Sequence, residues 1–261
     1  MNVLEMFKLD GKVALVTGGY GLYGSQITEA LAEAGATVIT ASRSYDKNEE
    51  YAKELRARGL EVYADAYDQT DEESILALRD RLIEKYGHVD ILVNNSVLRC
   101  MKGFNSDAEL FAKSMEANAT GVFIITRAFG NHMAELGGGS IINIGSYMGS
   151  LAVNDTLYEG CPEINARACP DYFFHKAGMN NLTRFMAAYY GPNGVRCNCL
   201  TLGGLFNNQP APFLEQYKKA TFLGRMATND DIKGMLVYLA SDASKYTTGT
   251  VIPIDGGYSA K

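Results

Sequence analysis

The chain has 261 residues, of which 47% are apolar and 21% charged, enough to bury a large core and ordinary for a globular protein. A formal net charge of −6 disfavours nucleic acid or an anionic membrane surface as a partner. No apolar run is long enough to span a bilayer and no basic-then-apolar leader pattern opens the chain, so a cytoplasmic location is expected.

Residues 12–17 form a short apolar, β-branched run with the look of a central parallel strand. Gly19, Gly21 and Gly24 follow as G-x-G-x-x-G, between that strand and the helical pattern Ile27, Ala30, Leu31, Ala34. In this context the glycines permit a tight turn and close approach to a pyrophosphate, whose charge the helix start would stabilise. Gly35 ends the helix, and residues 37–41 form a second strand. A dinucleotide site normally carries an acidic residue at its end, to hold a ribose 2′-hydroxyl. Here the place holds Ser42 and Arg43, which favours NADP over NAD because a guanidinium suits a 2′-phosphate. The alternative is that Arg43 stacks on adenine or faces solvent.

Residues 46–58 read as a charged helix stopped by Gly59, and 61–66 as a third strand followed by Asp68 and Gln69. Thr70 or Asp71 caps the next helix. Residues 90–94 form a fourth strand that runs into Asn94-Asn95-Ser96-Val97. The helical stretch 107–135 contains Asn118, whose amide needs partners among apolar neighbours and points to a structural hydrogen bond or a kink. The apolar run 140–144 is a fifth strand, with Ser146 just past its end. Residues 150–171 lose periodicity and carry Pro162 and Pro170, the pattern of a long functional loop. Residues 172–190 form a long helix, 195–200 a sixth strand, 205–224 an aromatic- and proline-bearing flap, 229–240 a last helix and 251–254 a last strand. Alternating strands and helices without a linker predict one α/β domain over residues 1–261, a doubly wound parallel sheet of about seven strands.

Tyr172 and Lys176 are four residues apart and share a helix face. An ammonium there favours the phenolate, and a tyrosine so tuned can exchange a proton with a hydroxyl or carbonyl oxygen. The five cysteines are odd in number and lack C-x-x-C spacing, and the three histidines form no helical pair. Neither a disulfide framework nor a metal site is expected.

Taken in order, the glycine turn, Asp68, Asn94-Asn95, Asn118, Ser146, Tyr172-x-x-x-Lys176, Leu202-Gly203 and Asp255-Gly256-Gly257 resemble the short-chain dehydrogenase/reductase family in its single-domain form. The resemblance covers nearly the whole chain. It implies a Rossmann-type fold and a catalytic set of Asn118, Ser146, Tyr172 and Lys176. Tyr172 would be the general acid/base and Ser146 would orient the substrate oxygen. Lys176 would tune the tyrosine and hold the nicotinamide ribose, and Asn118 would hold a water linking Lys176 to solvent. It also implies that Gly18, Tyr20, Gly21, Tyr23 and Gly24 line the phosphates, with Ser42 and Arg43 at the adenosine ribose. Asp68 and Gln69 would lie at adenine, Asn95 along the cofactor, and Gly203, Leu205 and Asn207 at the carboxamide. A homotetramer or homodimer would form through the helix bearing Tyr172.

The chain departs from the family pattern at Leu22, Val97 and Leu202, and by an unusually long spacing from Ser146 to Tyr172. The inserted stretch is polar. With Arg99 and Lys102, its residues Asn154, Tyr158 and Arg167 would suit a polyhydroxylated substrate able to carry a carboxylate. A sugar or sugar-acid dehydrogenase similar to gluconate 5-dehydrogenase is therefore expected. The alternatives are a 3-oxoacyl-carrier-protein reductase, for which Lys218, Lys219 and Arg225 offer a thin docking patch, and a dinucleotide sensor without catalysis.

Overall fold

Alternate residues of the first apolar run bury on opposite sides of a sheet, so the run needs no polar face. In this computed structural model, which describes residues 2–161 and 170–260, strand β1 (Val13–Thr17) is buried along its whole length. Ala14 and Val16 join one apolar layer, and Val13 and Leu15 the other. Strands β2 (Thr37–Ser42), β3 (Val62–Ala66), β4 (Ile91–Asn94), β5 (Gly139–Ser146), β6 (Val195–Leu202) and β7 (Val251–Ile254) complete the sheet. Its order is β3-β2-β1-β4-β5-β6-β7, and every pairing is parallel.

The helices are α1 (Leu22–Glu33), α2 (Tyr45–Ala57), α3 (Glu72–Tyr86), α4 (Ala108–Met115), α5 (Val122–Glu135), α6 (Pro170–Tyr190), α7 (Ala211–Ala220) and α8 (Lys233–Ala240). Leu31 of α1, Leu55 of α2 and Leu239 of α8 pack against one face of the sheet. Leu78 of α3, Phe129 of α5 and Met186 of α6 pack against the other. Each such large side chain, withdrawn almost wholly from water, contributes about 1.5–3 kcal/mol. Helix ends follow local chemistry. The Asp71 carboxylate accepts from Glu73 N at 3.0 Å to start α3, and Gly87, at φ +80°, ends it.

The stretch expected as one helix over 107–135 is interrupted. Between α4 and α5 the chain makes a π-helical segment, Glu116–Gly121, of the kind that often marks a functional site. Gly121 is needed there, because a Cβ would lie 2.1 Å from the Gln69 carbonyl oxygen.

The chain winds outward from β1 through β2 to β3, then returns to place β4 on the other side of β1. Loops leaving β1 and β4 therefore diverge and open a crevice at the strands' carboxyl ends, the place where open α/β sheets take ligands. No described helix is long and apolar enough to cross a membrane.

Candidate active site

The crevice is a cleft of about 680 Å³ that runs from Ser42 and Arg43 to Tyr158 and Phe213. At its centre the chain leaves β1 through Gly18, at φ +64°, and enters α1 at Leu22. Gly24 has no room for a side chain, since a Cβ would meet the Gly18 carbonyl oxygen at 2.1 Å. Leu22, Tyr23 and Gly24 at the start of α1 line the cleft, where the free N–H groups of a helix start can take an anion. The loop after β4 is stitched to this turn. Thr17 Oγ1 accepts from Asn95 N at 2.9 Å and Ser96 N at 3.0 Å, while Asn95 Nδ2 donates to the Thr17 and Gly18 carbonyls. Tyr20, Gly21 and Tyr23 also line the cleft. The Tyr23 hydroxyl donates to the Gly203 carbonyl at 2.9 Å and so ties α1 to the turn after β6.

At the β2–β3 end, Ser42, Arg43, Asp68 and Gln69 all line the cleft. Burial raises the Asp68 carboxyl, but two hydrogen bonds from Thr70 and the nearby Arg43 charge outweigh it and hold the group below the usual carboxylate range. Gln69 has both ends of its amide committed, accepting from Tyr67 Oη and donating to the Ala117 carbonyl, each at 2.8 Å. It braces the cleft wall.

Ser146, Tyr172 and Lys176 come together at the far side. Ser146 is the last residue of β5, and its Oγ accepts from Met148 N at 3.2 Å. Tyr172 and Lys176 lie on the first turns of α6, with Lys176 Nζ 5.6 Å from the centre of the Tyr172 ring. Lys176 is 3% exposed and donates to the Ile144 carbonyl. That bond leaves two ammonium protons to serve the cleft. Arg99 covers the Tyr172 ring, its guanidinium carbon 4.7 Å from the centroid. His175 meets the same ring edge-on at 5.2 Å.

Several expected positions differ. The Asn118 side chain does not line the cleft. It sits in the π-helical segment, 3% exposed, where Oδ1 accepts from Leu98 N at 2.8 Å and Nδ2 donates to the Leu98 carbonyl at 2.7 Å. A further bond to Ser114 Oγ at 3.0 Å completes its amide, so the structural hydrogen bond expected from its apolar surroundings is what the side chain makes. Asn207 is exposed and outside the cleft. Gln209 lines it instead, accepting from Asn207 N at 2.7 Å and donating to the Leu205 carbonyl at 2.9 Å. Asn154 is also outside the cleft. Its Oδ1 accepts from Thr156 N and Oγ1, and its Nδ2 donates to Tyr258 Oη, so it fastens the loop. Arg99 and Tyr158 do line the cleft and Lys102 does not. Arg167 lies outside the described residues.

Most of the cleft's aromatic wall is not marked by any sequence motif. Tyr147, Leu157, Cys161, Phe213, Tyr217, Met226 and Tyr258 form an apolar cluster beside the substrate end. Tyr217 Oη accepts from Gly204 N at 2.6 Å, and burial pushes its phenol up to about 12 despite that bond. Tyr217 is therefore a neutral wall residue. The aromatic content of residues 205–224 was the available signal.

The family model described as Enoyl-(Acyl carrier protein) reductase matches residues 23–259. The chain is a short-chain dehydrogenase/reductase. It is an oxidoreductase of the NAD(P)-dependent kind that acts on CH–OH groups. Galactitol 2-dehydrogenase of Rhizobium johnstonii is 31% identical over 99% of each chain. Cis-4-hydroxycyclohexanecarboxylate dehydrogenase of Sinomonas cyclohexanicum is 30% identical over 95% of this chain and 97% of the relative. A crystal structure of gluconate 5-dehydrogenase from Burkholderia cenocepacia, in complex with NADP and tartrate, superposes over the full length of both chains with a TM-score of 0.89 at 28% identity. The cleft of this short-chain dehydrogenase/reductase fits such a cofactor in one particular respect. Gly24 leaves a cradle beside Gly18 that a Cβ would fill.

Proposed function

We propose that this short-chain dehydrogenase/reductase interconverts a secondary alcohol and a ketone on a sugar or sugar acid, using NADP in preference to NAD. The observation that carries the reading is that Ser146, Tyr172 and Lys176 share one cleft with the glycine turn and Arg99. When bound, the nicotinamide supplies the hydride acceptor or donor. Tyr172 Oη takes the hydroxyl proton in oxidation and returns it in reduction. Ser146 Oγ already accepts from Met148 N, so its own hydrogen is available to the substrate oxygen. Lys176 provides a fixed positive charge beside the phenol. The Asn118 amide is occupied by Leu98 and Ser114, so any water held at that position falls to its backbone.

Arg43 and the lack of an acid at Ser42 support the NADP preference, as does the NADP of the Burkholderia cenocepacia structure. For the substrate, Arg99 places a guanidinium over the reacting phenol, where it would pair with a carboxylate. Relatives acting on galactitol and D-threitol favour polyhydroxylated substrates. A carrier-protein reductase is less well supported. Lys218 pairs with Glu215 at 2.8 Å, and Arg225 is held by both oxygens of Asp231, so the thin basic patch is largely internally paired.

The assembly is a homodimer or homotetramer. Phe174, Phe185 and Tyr189 on α6 are each more than 60% exposed, an apolar stripe that a second copy would cover. Met179 and Met186 of the same helix are buried within the chain and are not part of that stripe. Initial rates with sugars, polyols and sugar acids, on NADP and NAD side by side, test the reading. Reduction of 3-oxoacyl thioesters with no turnover of any polyol or sugar acid would overturn it.

A further inference from the structure

The residue at the end of β2 determines whether a dinucleotide site offers its ribose 2′ position an acceptor or a donor. An acid there can only accept, whereas a serine hydroxyl can do either. At Ser42 the surroundings decide. Its Oγ receives N–H donors from two directions, Asn48 Nδ2 at 2.7 Å and Ser44 N at 3.2 Å. The orientation of the Asn48 amide is fixed independently. Nδ2 also meets the Ser44 carbonyl oxygen at 3.2 Å, which can only accept, and Oδ1 receives the Thr40 hydroxyl at 2.7 Å. Asn48 and Thr40 are both 0% exposed, so solvent does not compete for the bond between them that orients the amide. With both acceptor positions of Ser42 Oγ filled, its remaining capacity is to donate, and Ser42 and Arg43 line the cleft together.

We propose that Asn48 is a positioning residue for cofactor choice, making Ser42 an obligate donor matched to the acceptor oxygens of a 2′-phosphate. A ribose 2′-hydroxyl can accept the same bond but carries no charge, so it gains far less from a donor at Ser42 than a 2′-phosphate does. This rests on the NADP reading above and adds a cause for it that lies beneath the cleft surface, one turn into α2.

Calorimetric dissociation constants for NADP and NAD, which differ only in the 2′-phosphate, test the proposal in wild type, Ser42→Ala, Asn48→Asp and the double variant. Asp is nearly isosteric with Asn and still accepts from Thr40. It can only accept from Ser42, so it turns that hydroxyl's hydrogen inward. Ser42→Ala and Asn48→Asp should each weaken NADP about tenfold and leave NAD nearly unchanged. The double variant should be no weaker than either single one, because both remove one interaction. A loss from Asn48→Asp that is as large in the Ser42→Ala background as in wild type would overturn the proposal, since it would reflect charge or fold alone. No loss from Asn48→Asp would overturn it equally. Should Asn48→Asp fail to fold, judged by melting temperature and NAD binding, Asn48→Ala replaces it. That variant should weaken NADP in wild type and not in the Ser42→Ala background, and equal losses in the two would count against the proposal. Wild-type protein that binds NADP no more tightly than NAD removes the NADP reading itself, before any variant is compared.

Discussion

Asn118 grips both backbone polar groups of Leu98, accepting from its N–H at 2.8 Å and donating to its carbonyl at 2.7 Å. Leu98 immediately precedes Arg99, and Arg99 lies over the Tyr172 ring. Asn118, in the π-helical segment between α4 and α5, thereby anchors the backbone next to Arg99, a cleft-lining cation, although its own side chain does not line the cleft. Asn118→Ala should leave two backbone groups poorly paired and cost about 1–3 kcal/mol of stability. It should also raise KM for an acidic substrate more than it lowers kcat, because the Arg99 loop loses its anchor. Thermal unfolding and steady-state kinetics check this. Unchanged stability together with a collapsed kcat would indicate direct chemistry at the side chain.

Arg99→Met keeps most of the apolar cover on Tyr172 and removes the charge. The expected result is a fall of about tenfold to a hundredfold in kcat/KM for a sugar acid, the loss of one charge-assisted pair. A neutral polyol should change far less. Parallel rate measurements on an aldonic acid and its corresponding alditol separate the two cases. Equal losses on both would assign Arg99 to shaping the site, with no role in carboxylate recognition.

His175 sets a pH dependence of stability. Burial, with Lys176 and Arg99 nearby, lowers its imidazole to about 3, and neither ring nitrogen has a hydrogen-bond partner. Because the folded value lies below the unfolded one of about 6.5, the unfolded chain binds the proton first. Stability from this group is complete above about pH 6.5 and is lost progressively as pH falls toward 3. His175→Phe should flatten the acid limb of a denaturation-midpoint profile in that window. An unchanged slope would mean that carboxylates dominate acid unfolding.

The parts of the site legible in the sequence are those made by local geometry. The glycine turn follows from a strand, a spacing and a helix, and the pairing of Tyr172 with Lys176 follows from one helical turn. The parallel sheet of about seven strands follows from the alternation of strands and helices, while the order of its strands does not. Parts that depend on distant segments were not legible. Asn154 looked like a cleft residue because it is polar in an inserted loop, yet it caps its own turn and reaches Tyr258, far along the chain. Asn207 lost its expected place to Gln209 because the chain turns at Asn208, at φ +55°. The wall of Tyr147, Phe213, Tyr217 and Tyr258 is assembled from three separate regions, and no periodicity marks such a cluster. Asn118 was legible as a buried amide needing partners, but Leu98 as the partner was not.

In the proposed mechanism Tyr172 exchanges the proton with the substrate oxygen. The most direct test compares Tyr172→Phe with wild type in NADP reduction by a turned-over polyol or sugar acid, alongside calorimetric binding of NADP. The expected result is a loss of about a thousandfold in kcat with NADP affinity nearly unchanged. A variant that keeps its rate while binding NADP normally would contradict it.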